Sequence, residues 1–176
     1  MELNPLTALS PIDGRYARQT DALRDIFSEC AFMNARVRVE VEWLISLSEA
    51  GFAELPHLSD HGKAFLRGLA DNFSLADCEA IKEIEKTTNH DVKAVEYWIK
   101  NQVAHDEELK SASEFVHFSC TSEDINNTSH AIMLKRGREA LADYLQQIHD
   151  TIAGFAHQWA EIPMLSRTHG QTASPT

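Results

Sequence analysis

Turn-forming residues are scarce in this chain. It has seven glycines and five prolines in 176 residues, roughly 7% against about 12% in an average protein. So few breakers argue against a turn-rich β architecture and for long helices. Cysteine is equally sparse. Cys30, Cys78 and Cys120 are odd in number, far apart and form no CxxC pair, so they read as buried structural thiols of a reducing compartment. Positive charge is in deficit, with 16 Lys and Arg against 27 Asp and Glu and a net charge of −11. That balance repels phosphate backbones and anionic lipid, so neither nucleic acid nor a membrane surface is an expected partner. A small anionic substrate held by a local cluster of Arg, Lys, His and backbone N–H groups stays open.

Other absences narrow the chemistry. No uncharged apolar run approaches the ~20 residues of a membrane span. Residues 1–16 show no basic region followed by an apolar one, so no signal peptide is expected and the chain reads as cytoplasmic. There is no Gly-rich phosphate loop, nucleophile elbow or dinucleotide fingerprint. His57 and His61 have i,i+4 spacing, but they straddle a predicted helix start and lack a third ligand or an HExxH pattern. Neither a metal nor a cofactor is expected.

Helical patterning dominates what is present. Residues 1–20 are polar and irregular, with Pro5, Pro11 and Gly14 ruling out a continuous helix. From Asp21 to Ala50 an apolar stripe runs through Ile26, Cys30, Val37, Val41 and Leu44 and stops at Gly51. Within it, residues 37–43 alternate with period two, but their flanks lack turn residues, so the helix reading stands. Further helices are predicted over Ser59–Phe73, from a capping box at Ser74–Asp77 to Thr87–Thr88, and from an Asp91 cap to Val103. His105–Glu108 reads as a solvated acidic linker. The predicted organisation is therefore a helical domain over 1–110 and, over 111–176, the start of a central helical bundle.

The last helix carries the bundle signal. Thr121 or Ser122 can cap a helix that meets no proline until Pro163, roughly 60 Å at 1.5 Å per residue. Leu134, Leu141, Ile148 and Phe155 recur every seven residues, as do Leu145, Ile152 and Trp159. A helix cannot bury such a seam against itself, so other helices must supply the partner.

Four polar clusters could carry chemistry, and each has a plainer alternative. Arg15 and Tyr16 sit on a turn and can bind a phosphate, or form a surface cation beside a packing phenol. Asn89, His90 and Asp91 stand at a helix start, where free N–H groups attract anions, or where they simply cap. Thr121 and Ser122 occupy a second helix start and can hold a carboxylate or only cap. His117, just upstream, suits a core histidine as well as a ligand contact. His169 lies in a turn between Ile162-Pro163 and Gly170, with Gln171 just beyond it, and the stretch can equally be a structural turn. An imidazole there, with its usual pKa near ~6.5, suits proton transfer.

Taken together these stretches resemble one family. Ser10 to Tyr16, Thr87 to Tyr97, His117 to Asn127 and Ser166 to Gln171, in this order and at these intervals, are similar to the adenylosuccinate lyase family of the fumarase/aspartase superfamily, in its bacterial form. The resemblance implies an all-α fold and a reversible β-elimination of fumarate. Adenylosuccinate would give AMP, and the succinylated aminoimidazole carboxamide ribotide SAICAR would give AICAR. It implies His169 as the general acid and Arg15 and Tyr16 as contacts to the substrate phosphate. Asn89, His90 and Asp91 would surround the leaving group, and Thr121 and Ser122 would hold the succinyl carboxylate. His117 and Gln171 would be further substrate contacts. It also implies a homotetramer, and a serine base on a Gly- and Ser-rich loop downstream of Thr176. The 176 residues are thus expected to be part of a longer polypeptide and inactive alone. Argininosuccinate lyase or another superfamily member, or a non-catalytic helical scaffold, are the alternatives.

Overall fold

A computed structural model of the chain describes residues 6–55 and 57–175; the part of the irregular N-terminal stretch at 1–5 lies outside them. Residues 6–20 form turns, closed by bonds such as Gly14 N–H to the Ser10 carbonyl at 3.0 Å. A single turn of 3-10 helix at Asp21–Leu23 leads into α1 (Arg24–Phe27) and then α2 (Glu29–Glu49). The sequence predicts one helix here. The break falls at Ser28, whose backbone is extended and whose hydroxyl accepts the Ala31 N–H at 3.2 Å. Serine in that geometry satisfies an orphan donor and so starts a new helix.

Three more helices pack on α2. They are α3 (Asp60–Asp71), α4 (Leu75–Thr88) and α5 (Asp91–Val103). The Ser74–Asp77 capping box opens α4 as expected, with the Asp77 carboxylate accepting from the Ser74 N–H at 2.8 Å. Val37, Val41 and Leu44 of α2 meet Leu66, Ile81, Val95 and Ile99 in one core, all at most 1% exposed. Each such side chain contributes about 1.5–3 kcal/mol on leaving water. Small residues keep the spacing close, and at Gly137 an added methyl group would collide with the ring of Phe27.

Two expectations are corrected here. Cys30 of α2 and Cys78 of α4 form a disulfide, with Cα atoms 5.7 Å apart, and only Cys120 is free. Their separation of 48 residues in sequence hid a contact that helix packing creates. The acidic stretch near residue 106 is not a solvated linker either. Asp106 caps α6 (Glu107–Ala112) by accepting the Leu109 N–H at 2.9 Å, and Leu109 is buried. Glu108 turns back to the start of α3, accepting from the Ser59 N–H and hydroxyl at 2.6 and 2.7 Å.

The chain divides into two compact units, residues 1–137 and 138–176. Helix α7 (Ser122–Gln158) begins in the first and continues into the second. In the second unit it is followed by an antiparallel hairpin of β1 (Leu165–Thr168) and β2 (Gln171–Pro175). The fold is all-α apart from this hairpin, which the helical reading did not include. Its two-residue loop is His169-Gly170, both left-handed at φ 50° and 75°. Such a loop follows the right-handed twist of its strands, and Thr168 pairs with Gln171 across it. No helix among the described residues is long and apolar enough to cross a membrane.

Candidate active site

The Asn89-His90-Asp91 corner is built by two helices that meet end to start. Asn89 ends α4 in the left-handed conformation, φ 51°, which asparagine tolerates better than most residues. His90 then caps α5, a role expected of Asp91: its Nδ1 accepts the Lys93 N–H at 3.2 Å. An accepting Nδ1 carries no proton, so the hydrogen of this ring sits on Nε2. Nε2 lies 3.3 Å from the hydroxyl of Ser122, the first residue of α7. The corner and the α7 start are thereby joined.

Asp91 is released from capping for another partner. Its Oδ2 accepts from Arg36 Nη2 at 2.6 Å, while its Oδ1 accepts the Val92 N–H at 2.9 Å. Arg36 also donates through Nε to Asn126 of α7 at 2.9 Å and lies 3.9 Å from the centroid of the Phe32 ring. Arg36 is only 5% exposed. From α2 it fixes the first turns of α5 and α7 to each other. Planar and forked, arginine can serve both partners where lysine could not.

Thr121 stands just before α7. Its N–H and hydroxyl both donate to Asp124 Oδ2 at 2.8 Å, and the Asp124 N–H returns a longer bond of 3.4 Å to the threonine oxygen. Those two donors hold the Asp124 carboxyl below its ordinary range. His117 lies in the loop upstream with φ 64°, and its Nδ1 is 2.5 Å from Glu40 Oε1. Arg15 and Tyr16 are bonded to each other, the guanidinium lying 4.6 Å from the phenol centroid. His169 and Gln171 belong to the second unit, on the loop and first strand residue of its hairpin.

The structure thus brings together His90, Asp91, Thr121 and Ser122, and it adds two residues that the sequence reading passed over. Arg36 and Glu40 are charged yet buried on α2, four residues apart and interleaved with Val37 and Val41. Charges set into an apolar helical stripe were the available signal, since buried charges need partners. A cavity of about 530 Å³, lined by Trp43, Cys120, Asp124 and Ile125 among others, includes none of these residues and meets them only through Asp124, the partner of Thr121. No group of three His, Cys, Asp or Glu among the described residues could hold a metal ion.

A family model described as lyase matches residues 14–176. The chain belongs to this lyase family. Among curated proteins it is 53% identical to the adenylosuccinate lyases of Vibrio cholerae and Haemophilus influenzae and 52% identical to that of Escherichia coli K12. Each match covers 100% of this chain and 39% of the relative. This lyase chain therefore spans about two fifths of the length of the curated relatives it matches.

The Arg36–Asp91 pair makes a pH prediction for the lyase. Burial works against the Asp91 charge, but the Val92 N–H and Arg36 outweigh it and hold the carboxyl below the ordinary range. A depressed carboxyl adds stability that is present above the unfolded value, near ~3.9. That stability is lost as pH falls through the folded value. Asp91→Asn is expected to lower stability at neutral pH and to flatten the loss of stability below about pH 4. Denaturant midpoints measured from pH 7 down to pH 3 would show it, and parallel curves for the two proteins would refute it.

Proposed function

We propose that the complete protein is an adenylosuccinate lyase, cleaving adenylosuccinate to AMP and fumarate and SAICAR to AICAR and fumarate. The observation that carries this is identity of about half across the entire chain to bacterial proteins of that name. The elimination removes a proton from the carbon beside a carboxylate, and an acid protonates the departing nitrogen. It needs an acid, a base and donors arranged in advance for the extra carboxylate charge.

The roles follow the motifs. His169 is assigned as the acid. Arg15 and Tyr16 take the substrate phosphate, once their mutual contact opens to it. Thr121 and Ser122 take the succinyl carboxylate at the α7 start, where hydroxyls and free N–H groups favour an anion. His90, with its proton on Nε2, acts as a neutral donor beside Ser122, and Asn89 and Asp91 shape the pocket for the leaving group. His117 and Gln171 complete the polar contacts.

The base, a serine by family likeness, is placed in the part of the complete protein that these residues do not include. On the same reading residues 1–110 are an N-terminal helical domain and 111–176 open the central bundle of a cytoplasmic homotetramer. The test is the absorbance change of adenylosuccinate cleavage by the complete protein. Cleavage supports the assignment. No cleavage, alongside turnover of argininosuccinate or malate, would overturn it.

A further inference from the structure

Two residues of α2, one helical turn apart, grip the segment that leads into α7. Glu40 Oε1 lies 2.5 Å from His117 Nδ1, and the Trp43 indole N–H donates to the Phe118 carbonyl at 2.8 Å. The gripped segment has two left-handed non-glycine residues, His117 at φ 64° and Ser119 at φ 60°. Such conformations are strained in residues with a Cβ and persist only where their surroundings enforce them. Glu40 is 0% exposed, and its Oε2 has no hydrogen-bond partner. A buried carboxylate with an idle oxygen is costly, and an apolar side chain of similar volume would fill the place at lower cost. Packing therefore does not explain the glutamate; its contact with the imidazole does.

We propose that Glu40 is a positioning residue for His117: its carboxylate accepts the Nδ1 proton, fixes the ring's tautomer and direction, and leaves Nε2 as the nitrogen offered to a ligand. No hydrogen bond among the described residues reaches Nε2. Burial holds the Glu40 carboxyl above its ordinary range, and the hydrogen bond from His117 offsets only part of that rise. The other titratable groups facing the pair are Lys93 and Glu96 of α5, Cys120 and Asp124. Glu96 is itself paired with Lys93 and Lys100.

The two histidines before α5 and α7 are then of opposite polarity. His90 spends Nδ1 as an acceptor and presents an Nε2 proton; His117 spends its Nδ1 proton and presents an Nε2 lone pair. A ligand group that meets His117 would therefore have to bring an O–H or N–H donor, whereas the His90 proton is directed at the Ser122 hydroxyl. This use of His117 rests on the lyase reading above, but the state of its ring does not.

The decisive measurement is long-range proton–nitrogen NMR of the chain labelled with 15N-histidine, at about pH 8, above the ~6.5 of an ordinary imidazole. The His117 signals are those missing from His117→Gln. A proton on Nδ1 and a bare Nε2 are expected, with Glu40→Leu releasing the ring to the other tautomer. A proton on Nε2 in the unaltered chain would overturn the proposal, as would a pattern unmoved by Glu40→Leu. If Glu40→Leu does not fold, the unaltered spectrum still decides. In the complete protein, Glu40→Leu and His117→Ala should each raise KM roughly twofold to tenfold, the worth of a hydrogen bond between neutral groups, with a smaller change in kcat. The double variant should cost no more than His117→Ala alone, and losses that add would sink the idea. Because the NMR result needs no turnover, failure of the adenylosuccinate assignment is distinguishable from failure of this one.

Discussion

His169→Ala in the complete protein is expected to lower turnover of adenylosuccinate by roughly 10²–10⁴-fold, the usual contribution of a general acid. The leaving nitrogen must gain a proton as its bond to carbon breaks, and alanine has none to give. The hairpin adds a control. His169 occupies the first loop position with φ 50°, a conformation in which most residues with a Cβ are strained and asparagine is tolerated. Alanine therefore removes the imidazole and strains the turn together. His169→Asn removes the imidazole while preserving the turn, so if His169 is the acid, as we propose, the two variants should fall to similar rates. If His169→Asn kept most of its activity, the histidine would be a turn residue and the acid would lie elsewhere. Unchanged turnover in both would remove His169 from the mechanism.

Much of this architecture was legible because it rests on short-range rules. The Ser74–Asp77 capping box, the Ser59 start and the uninterrupted run after Thr121 depend on residues three or four apart, and each became a helix boundary. The break at Ser28 was harder, since serine inside a helical pattern stays helical unless its hydroxyl turns back to Ala31. The exchange of roles between His90 and Asp91 was not readable at all. Asp91 is the better cap by type, but Arg36, 55 residues away in sequence, draws its carboxylate off and leaves the capping bond to the imidazole. The Cys30–Cys78 bond and the Glu40–His117 contact were missed for the same reason, being products of packing between elements distant in sequence. At the candidate site the sequence displays the polar residues that we assign to a ligand, whereas the pairing of Arg36 with Asp91 and of Glu40 with His117 arises only from packing.

The apolar face of α7 leads to the second large expected effect, which concerns association. Leu141, Leu145, Ile148, Ile152, Phe155 and Trp159 are all exposed, Leu145 by 65% and Ile152 by 63%. They follow the seven-residue spacing of a helix seam, and Phe155 and Trp159 stack at 4.8 Å, presenting one flat apolar surface. Contiguous exposure on this scale marks an interaction surface. Burying one such side chain is worth about 1.5–3 kcal/mol, so six together can offset the roughly 4–15 kcal/mol lost in rigid-body freedom on association. The relative from Vibrio cholerae is about two and a half times as long as this chain, and in a protein of that length we propose that further helices of the same bundle cover this seam. The 176-residue chain alone has a second copy of itself as the available partner. It is expected to sediment as a dimer or larger species at micromolar concentration. Leu145→Glu, Ile148→Glu and Ile152→Glu together should weaken that association by three or more orders of magnitude, since three such losses sum to ~5 kcal/mol or more. All three lie in the second unit, outside the core of α2 to α5, so the circular dichroism of the variant should stay helical. A chain that sediments as a clean monomer before any substitution would show that the seam is not adhesive. The heptad pattern would then have some other cause than assembly.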